Sequence, residues 1–248
     1  MPCLAVQHFT GHSERTPMTI KGLLFDKDGT LMDFQASWGA WAADLVDWLA
    51  KADIQLAADL ASALKVDRAA RSVLPGSVII AGTPADIADT VKEMFPDELP
   101  SELSSRILDY SRHVVPVPVC DLPALFDELL QMGLHLGVAT NDGQALAHAQ
   151  VATLGLSTKV GFVAGYDSGF GAKPGPGMCR AFLKANGLDP AQAAMVGDSL
   201  HDLEAGRAAG MVCVAVETGL AGAAELSGHA DVVLPDISHL PRWLAELG

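Results

Sequence analysis

Gly22-Leu-Leu-Phe-Asp26-Lys27-Asp28-Gly29-Thr30-Leu-Met-Asp33 is the stretch from which the rest of the chain is read. Leu23 to Phe25 is a short apolar run with the pattern of a buried strand, and it stops at two carboxylates and the turn former Gly29. Side chains alternate faces along a strand, so Asp26 and Asp28 are expected to converge on one space while Lys27 points away, onto the surface. Two carboxylates held that close repel unless a cation lies between them or one keeps its proton. Both solutions are chemically useful: a metal ion, or a nucleophile beside a general acid.

From Phe34 to about Val114 the periodicity becomes helical. Trp38, Trp41, Leu45, Trp48 and Leu49 recur at steps of three and four, an apolar stripe of the kind that helices bury as core. Thr83-Pro84 starts a second helix, with Ile87, Val91 and Phe95 as its stripe and Pro96 beyond its end. Ser101 is placed to cap a third, with Leu103, Ile107, Leu108 and Val114 on its apolar side. The segment reads as a separate, mostly helical module.

After the proline-rich joint Val115 to Val119, helix and strand alternate. Asp121 caps a helix that Gly133 stops, and strands follow at Leu134 to Ala139, near Val160 to Ala164, at Ala193 to Val196, Met211 to Val216 and Asp231 to Leu234. Helices are expected from about Gln144 to Leu154, Gly177 to Ala185, Leu200 to Ala209 and Ser238 to Leu247. That order implies an α/β fold, a parallel sheet wrapped on both faces, with ligands at the carboxyl ends of its strands.

Three further polar clusters fall at such ends. Thr140-Asn141-Asp142-Gly143 offers a hydroxyl, an amide and free backbone N–H groups, the means of binding phosphate. Lys173 precedes Pro174, which holds it extended, and its ammonium can offset phosphate charge. Gly197-Asp198-Ser199-Leu200-His201-Asp202 brings two more carboxylates, with His201 expected to face solvent.

Taken in this order, the four clusters resemble the motifs of the haloacid dehalogenase superfamily of phosphohydrolases, and the layout resembles its phosphoglycolate phosphatase branch. The resemblance implies a Rossmann-like core (19–33 and 115–248) with a central parallel sheet flanked by helices, an inserted helical cap domain (34–114) and a flexible leader (1–18). It makes Asp26 the nucleophile, Asp28 the general acid and then base, and Mg2+ the cofactor, held by Asp26, Asp198 and the backbone carbonyl of Asp28. Thr140, Asn141 and Lys173 would bind the phosphoryl group, and Asp202 would hold Lys173 or a metal-bound water. Lys27 departs from the family, where that position is most often apolar; the acid at Asp28 favours phosphoester over carbon–halogen cleavage. Specificity is expected in the cap: Lys65, Arg68 and Arg71 are the candidate cations for a small carboxylated substrate such as phosphoglycolate, and the loop Pro75 to Thr83 is the other candidate. A phosphomutase or phosphotransferase on the same scaffold, or a non-catalytic partner-binding protein, are the alternatives.

The 248 residues, half of them apolar, can bury a substantial core, and the net charge of −14 opposes nucleic acid and anionic lipid surfaces. Four dispersed cysteines form no C-x-x-C pair and suit packing in a reducing compartment. Met1 to Pro17 lacks the apolar core of a signal peptide, and Met18 is a possible start of the fold. A cytoplasmic monomer or homodimer acting on a small phosphorylated metabolite, with no membrane or nucleic-acid partner, is the resulting expectation.

Overall fold

The computed structural model describes residues 19–94 and 102–247. The leader, Phe95, Pro96 and the Ser101 cap lie outside the described residues. In chain order the elements are β1 (Gly22–Phe25), α1 (Phe34–Ala50), α2 (Ile54–Ala63), β2 (Val66–Asp67), β3 (Ser72–Val73), α3 (Pro84–Met94), α4 (Leu103–Ser111), α5 (Leu122–Gln131) and β4 (His135–Ala139). They continue with α6 (Gln144–Thr153), β5 (Phe162–Ala164), α7 (Gly177–Asn186), β6 (Ala193–Gly197), α8 (Leu200–Ala209), β7 (Val212–Val216), α9 (Ala223–Leu226), β8 (Val232–Leu234) and α10 (Leu240–Leu247).

Six strands form one parallel sheet in the order β5-β4-β1-β6-β7-β8. Strand β1 lies at its centre because Leu23, Leu24 and Phe25 are wholly buried, which only a strand covered on both faces achieves. The pleat divides them. Leu23 and Phe25 pack with Phe126 and Leu129 of α5 and Leu240 of α10, whereas Leu24 packs on the other side with Phe182 of α7 and Met195. The chain passes from β1 outward to β4 and β5, then returns to β6 on the opposite flank. That reversal opens a crevice at the carboxyl end of β1. Phe25 is level with Val138 and Val196, so the residues following all three strands emerge at one rim.

Local chemistry sets the helix ends. The Asp33 and Asp121 carboxylates accept hydrogen bonds from the backbone N–H groups of Ala36 and Ala124, at 2.8 and 3.2 Å. Thr83 and Asp86 cap α3 reciprocally, the Thr83 N–H donating to Asp86 at 2.7 Å and the Asp86 N–H to the Thr83 hydroxyl at 3.3 Å. Gly187 and Gly210 stop α7 and α8 at φ of 62° and 82°, where a side chain would be strained. Helix α2, the β2/β3 hairpin and α9 do not stand out by periodicity: α2 is short and rich in alanine, and the others are too brief to show a period.

Helices α1 to α4 build a core of their own around Trp38, Trp41, Leu45, Leu60, Val91 and Leu103, which rests on Met32 and on Leu146 of α6. The tryptophan stripe is therefore core, apart from Trp48, whose edge stays exposed. The two connections to the sheet run side by side. Asp33 N–H donates to the Val117 carbonyl at 2.8 Å and Val119 N–H to the Leu31 carbonyl at 3.1 Å, so the joint at Val115 to Val119 is pinned to the segment after the first motif.

Candidate active site

Asp26, Thr140 and Asp198 leave β1, β4 and β6 at adjacent points of the rim, and Lys173 joins them from the loop after β5. All four are buried. The Lys173 ammonium donates to Asp26 Oδ1 at 2.5 Å, to Asp202 Oδ1 at 2.6 Å and to the Ala139 carbonyl at 2.9 Å. Its burial alone would push the ammonium down, but Asp202 and Asp26 outweigh that and hold it above the ordinary lysine value. Its backbone is braced too. The Asn141 side-chain carbonyl accepts the Lys173 N–H at 2.8 Å, and the Asn141 amide donates to the Lys173 carbonyl at 2.9 Å.

Both Asp202 oxygens are hydrogen-bonded. Its Oδ2 accepts from the Ser199 hydroxyl at 2.7 Å and backbone N–H at 3.1 Å, capping α8, while Oδ1 takes Lys173. Asp198 accepts from the Thr30 hydroxyl at 2.9 Å through Oδ1. A Cβ at Gly29 or Gly219 would overlap the Asp198 carboxylate, so two glycines keep the space at Oδ2 open.

The carboxylates of Asp26, Asp198 and Asp202 can offer oxygens within 4.8 Å of one another. Against three negative groups the cluster holds one lysine, an imbalance that burial makes expensive. It pushes Asp26 up to about 7, through burial first and then Asp202 and Asp28, with Lys173 opposing. Asp198 is raised well above the carboxylate range by burial and by Asp26. Hard, buried oxygens two charges short of neutrality are what a divalent cation such as Mg2+ requires, so the residues present fit a metal.

Lys27 is where the structure corrects the sequence reading. It is fully buried, with its ammonium 2.5 Å from Asp28 Oδ2, 2.9 Å from Asp142 Oδ2 and 5.5 Å from the centre of the Trp38 ring. Burial lowers its affinity for a proton, but Asp142 and Asp28 more than restore it. Alternation misplaced the side chain because β1 ends at Phe25. From Lys27 the backbone folds into a turn, the Lys27 carbonyl accepting from Leu31 N–H at 2.9 Å, and Lys27 and Asp28 lie on the same side of it. Trp38 from α1 donates its indole N–H to Asp28 Oδ1, so the helical layer touches this acid directly.

The other expectations divide. Thr140 and Asn141 line the same cleft as Asp26, Asp28, Lys173 and Asp198. His201 does not face solvent: it is half-buried, lines the cleft and places Nδ1 3.4 Å from the Ala81 carbonyl. Lys65, Arg68 and Arg71 are exposed, Arg68 and Arg71 paired with Asp47 and Asp44, and none lines the cleft. The loop 75–83 does: Ile79 to Gly82 border it, and the Ala81 carbonyl accepts from the Asn141 amide at 2.8 Å. Asp142 as a partner of Lys27 and Trp38 as a partner of Asp28 were missed; a lysine between two acids in an otherwise apolar register was the signal for a buried counter-charge.

A family model of haloacid dehalogenase-like hydrolases matches residues 20–210. The chain belongs to that family. It is 27% identical over 241 residues to an N-acetylmuramic acid 6-phosphate phosphatase of Pseudomonas aeruginosa, covering 93% of this chain and 95% of the relative. A phosphoglycolate phosphatase of Neisseria meningitidis is 28% identical over 236 residues, covering 90% and 92%. One from Rhodospirillum rubrum is 33% identical over 146 residues, a stretch that spans 56% of this chain and 61% of that enzyme. Among solved structures, a Haemophilus somnus protein described as a predicted phosphoglycolate phosphatase shares the fold with a TM-score of 0.68 at 19% identity, covering 90% and 97%. A β-phosphoglucomutase of Clostridium difficile shares it at 0.64 and 18%, covering 92% and 97%. This chain is a hydrolase of the phosphatase type, a phosphoric monoester hydrolase.

Proposed function

We propose that the protein is a Mg2+-dependent phosphatase that hydrolyses a small phosphorylated metabolite through an aspartyl phosphate on Asp26. The supporting observation is the buried junction of Asp26 with Lys173. Lys173 occupies Asp26 Oδ1, which leaves Oδ2 to form the new O–P bond as the ester P–O bond breaks. Asp28, at the mouth of the same cleft and an ion-paired carboxylate before substrate binds, would take up a proton and give it to the departing alkoxide. It then takes one from the water whose oxygen attacks phosphorus and frees Asp26, so two slow displacements share one acid–base group. The Thr140 hydroxyl, the backbone of Asn141 and Lys173 bind the phosphoryl oxygens, where charge accumulates. Asp202 orients Lys173.

Asp26, Asp198 and the backbone carbonyl of Asp28 would hold Mg2+, which when bound would neutralise charge on the phosphate and on the acids around it. The helical segment 34–114 acts as the cap, its Trp38 and Ala81 meeting Asp28 and Asn141 at the cleft. In described residues no helix is long and apolar enough to cross a membrane. Cys120, Cys179 and Cys213 are free thiols, which suits a reducing cytoplasm.

Phosphate release from an aryl phosphate, measured with and without Mg2+ for the parent and Asp26→Asn, tests this reading. Turnover that survives the substitution removes Asp26 from its role. Phosphoglycolate belongs in the substrate panel because relatives carry its name. Isomerised sugar phosphate in place of free phosphate would instead identify a phosphomutase.

A further inference from the structure

The two walls of the cleft differ in kind. The phosphate end carries Lys173 and the carboxylates, whereas the wall built by the helical segment presents Phe34, Trp38, Trp41, Ile79, Ile80 and Ile107. Among the described residues no arginine, and no lysine besides Lys173, lines the cleft. Of the cations of the helical segment, Arg68 and Arg71 bind Asp47 and Asp44, Arg112 binds Asp109, Arg106 lies over the Trp48 ring, Lys51 and Lys65 are exposed, and Lys92 does not line the cleft. The Lys27 ammonium is shared between Asp28 and Asp142. Asp28 and Asp142 themselves border the cleft and repel any second anion.

A carboxylate on the leaving alcohol would lose its water against this wall and meet no lysine or arginine there, with His201 the one imidazole at the border, which is costly. An apolar group gains from the same burial.

We propose that the substrate is the phosphate monoester of a neutral, largely apolar alcohol, aromatic or branched, and not a carboxylated ester such as phosphoglycolate. This rests on the phosphatase reading above, and it specifies that site's substrate class. The wall selects by what it lacks as much as by what it offers.

Benzyl phosphate and phosphoglycolate test it, since both leave as primary alkoxides and differ chiefly in phenyl against carboxylate. With Mg2+ present, kcat/KM for benzyl phosphate is expected to exceed that for phosphoglycolate by about tenfold or more. Equal or better use of phosphoglycolate overturns the inference and leaves the phosphatase reading intact; no phosphate released from either ester overturns both.

Discussion

Replacing Lys27 by methionine preserves an unbranched side chain of similar length while deleting the ammonium that Asp28 and Asp142 share. That ammonium is fully buried, 2.5 Å from one carboxylate and 2.9 Å from the other. Removing one partner of a buried ion pair costs about 3–5 kcal/mol, because the remaining charge is left uncompensated. The side chains of Asp28 and Asp142 keep 12% and 15% exposure, so water reaches them and the lower end applies, about 3 kcal/mol. For a chain of this length each kcal/mol moves Tm by about 2–4 °C, giving a fall of about 6–12 °C in circular-dichroism melts. Adding Asp142→Asn removes one of the two stranded charges and should restore about half of that loss, so the substitutions are non-additive by about 1 kcal/mol or more. A Lys27→Met protein melting within about 2 °C of the parent, or strict additivity in the pair, would refute the claim that this lysine is a buried counter-charge.

Lys173→Met should lower kcat about 10²- to 10³-fold, as loss of a preorganised donor does, and a smaller change in single-turnover kinetics would argue against its contact with the phosphoryl group. Gly219→Ala places a methyl group on the Asp198 carboxylate, so magnesium titration followed by calorimetry is expected to show affinity reduced at least about tenfold; unchanged affinity would remove Asp198 from the metal site. Mg2+ at about 100 times its Kd adds about 2.7 kcal/mol of stability, raising Tm by about 5–10 °C in a manner that EDTA reverses; a melt indifferent to both speaks against a folded-state metal site. Phe182→Ala empties a position of zero exposure beneath Leu24 and should cost about 3–5 kcal/mol in urea unfolding without changing KM.

Much of this protein is legible from residue order. Leu23 to Phe25 announces a central strand because only a doubly covered strand is apolar at consecutive positions. The caps at Asp33, Thr83 and Asp121 and the stops at Gly187 and Gly210 are local chemistry, readable from a few neighbouring residues. The polar clusters at Asp26, Thr140, Lys173 and Asp198 are expected at one rim because parallel strands all deliver their carboxyl ends to the same edge. Distances are another matter. That Lys173 bonds Asp26 and Asp202 at once depends on residues 147 and 29 positions away.

Lys27 and the cap cations show where local reading ends. A period of two holds only while the strand lasts, and β1 stops one residue before Asp26, so strand alternation could not say that Lys27 folds inward towards Asp142 in the loop after β4. Lys65, Arg68 and Arg71 were candidate substrate cations by spacing, with a solvated helix face the favoured reading, and packing against α1 pairs Arg68 and Arg71 with Asp47 and Asp44. Sequence alone determined the element types, the strand-end chemistry and the identity of the acids, since propensity, capping and patterning act over a few residues. Tertiary structure alone decided which charges are neutralised and which wall of the cleft is apolar, because desolvation and Coulomb energy depend on separations in space that chain order does not encode.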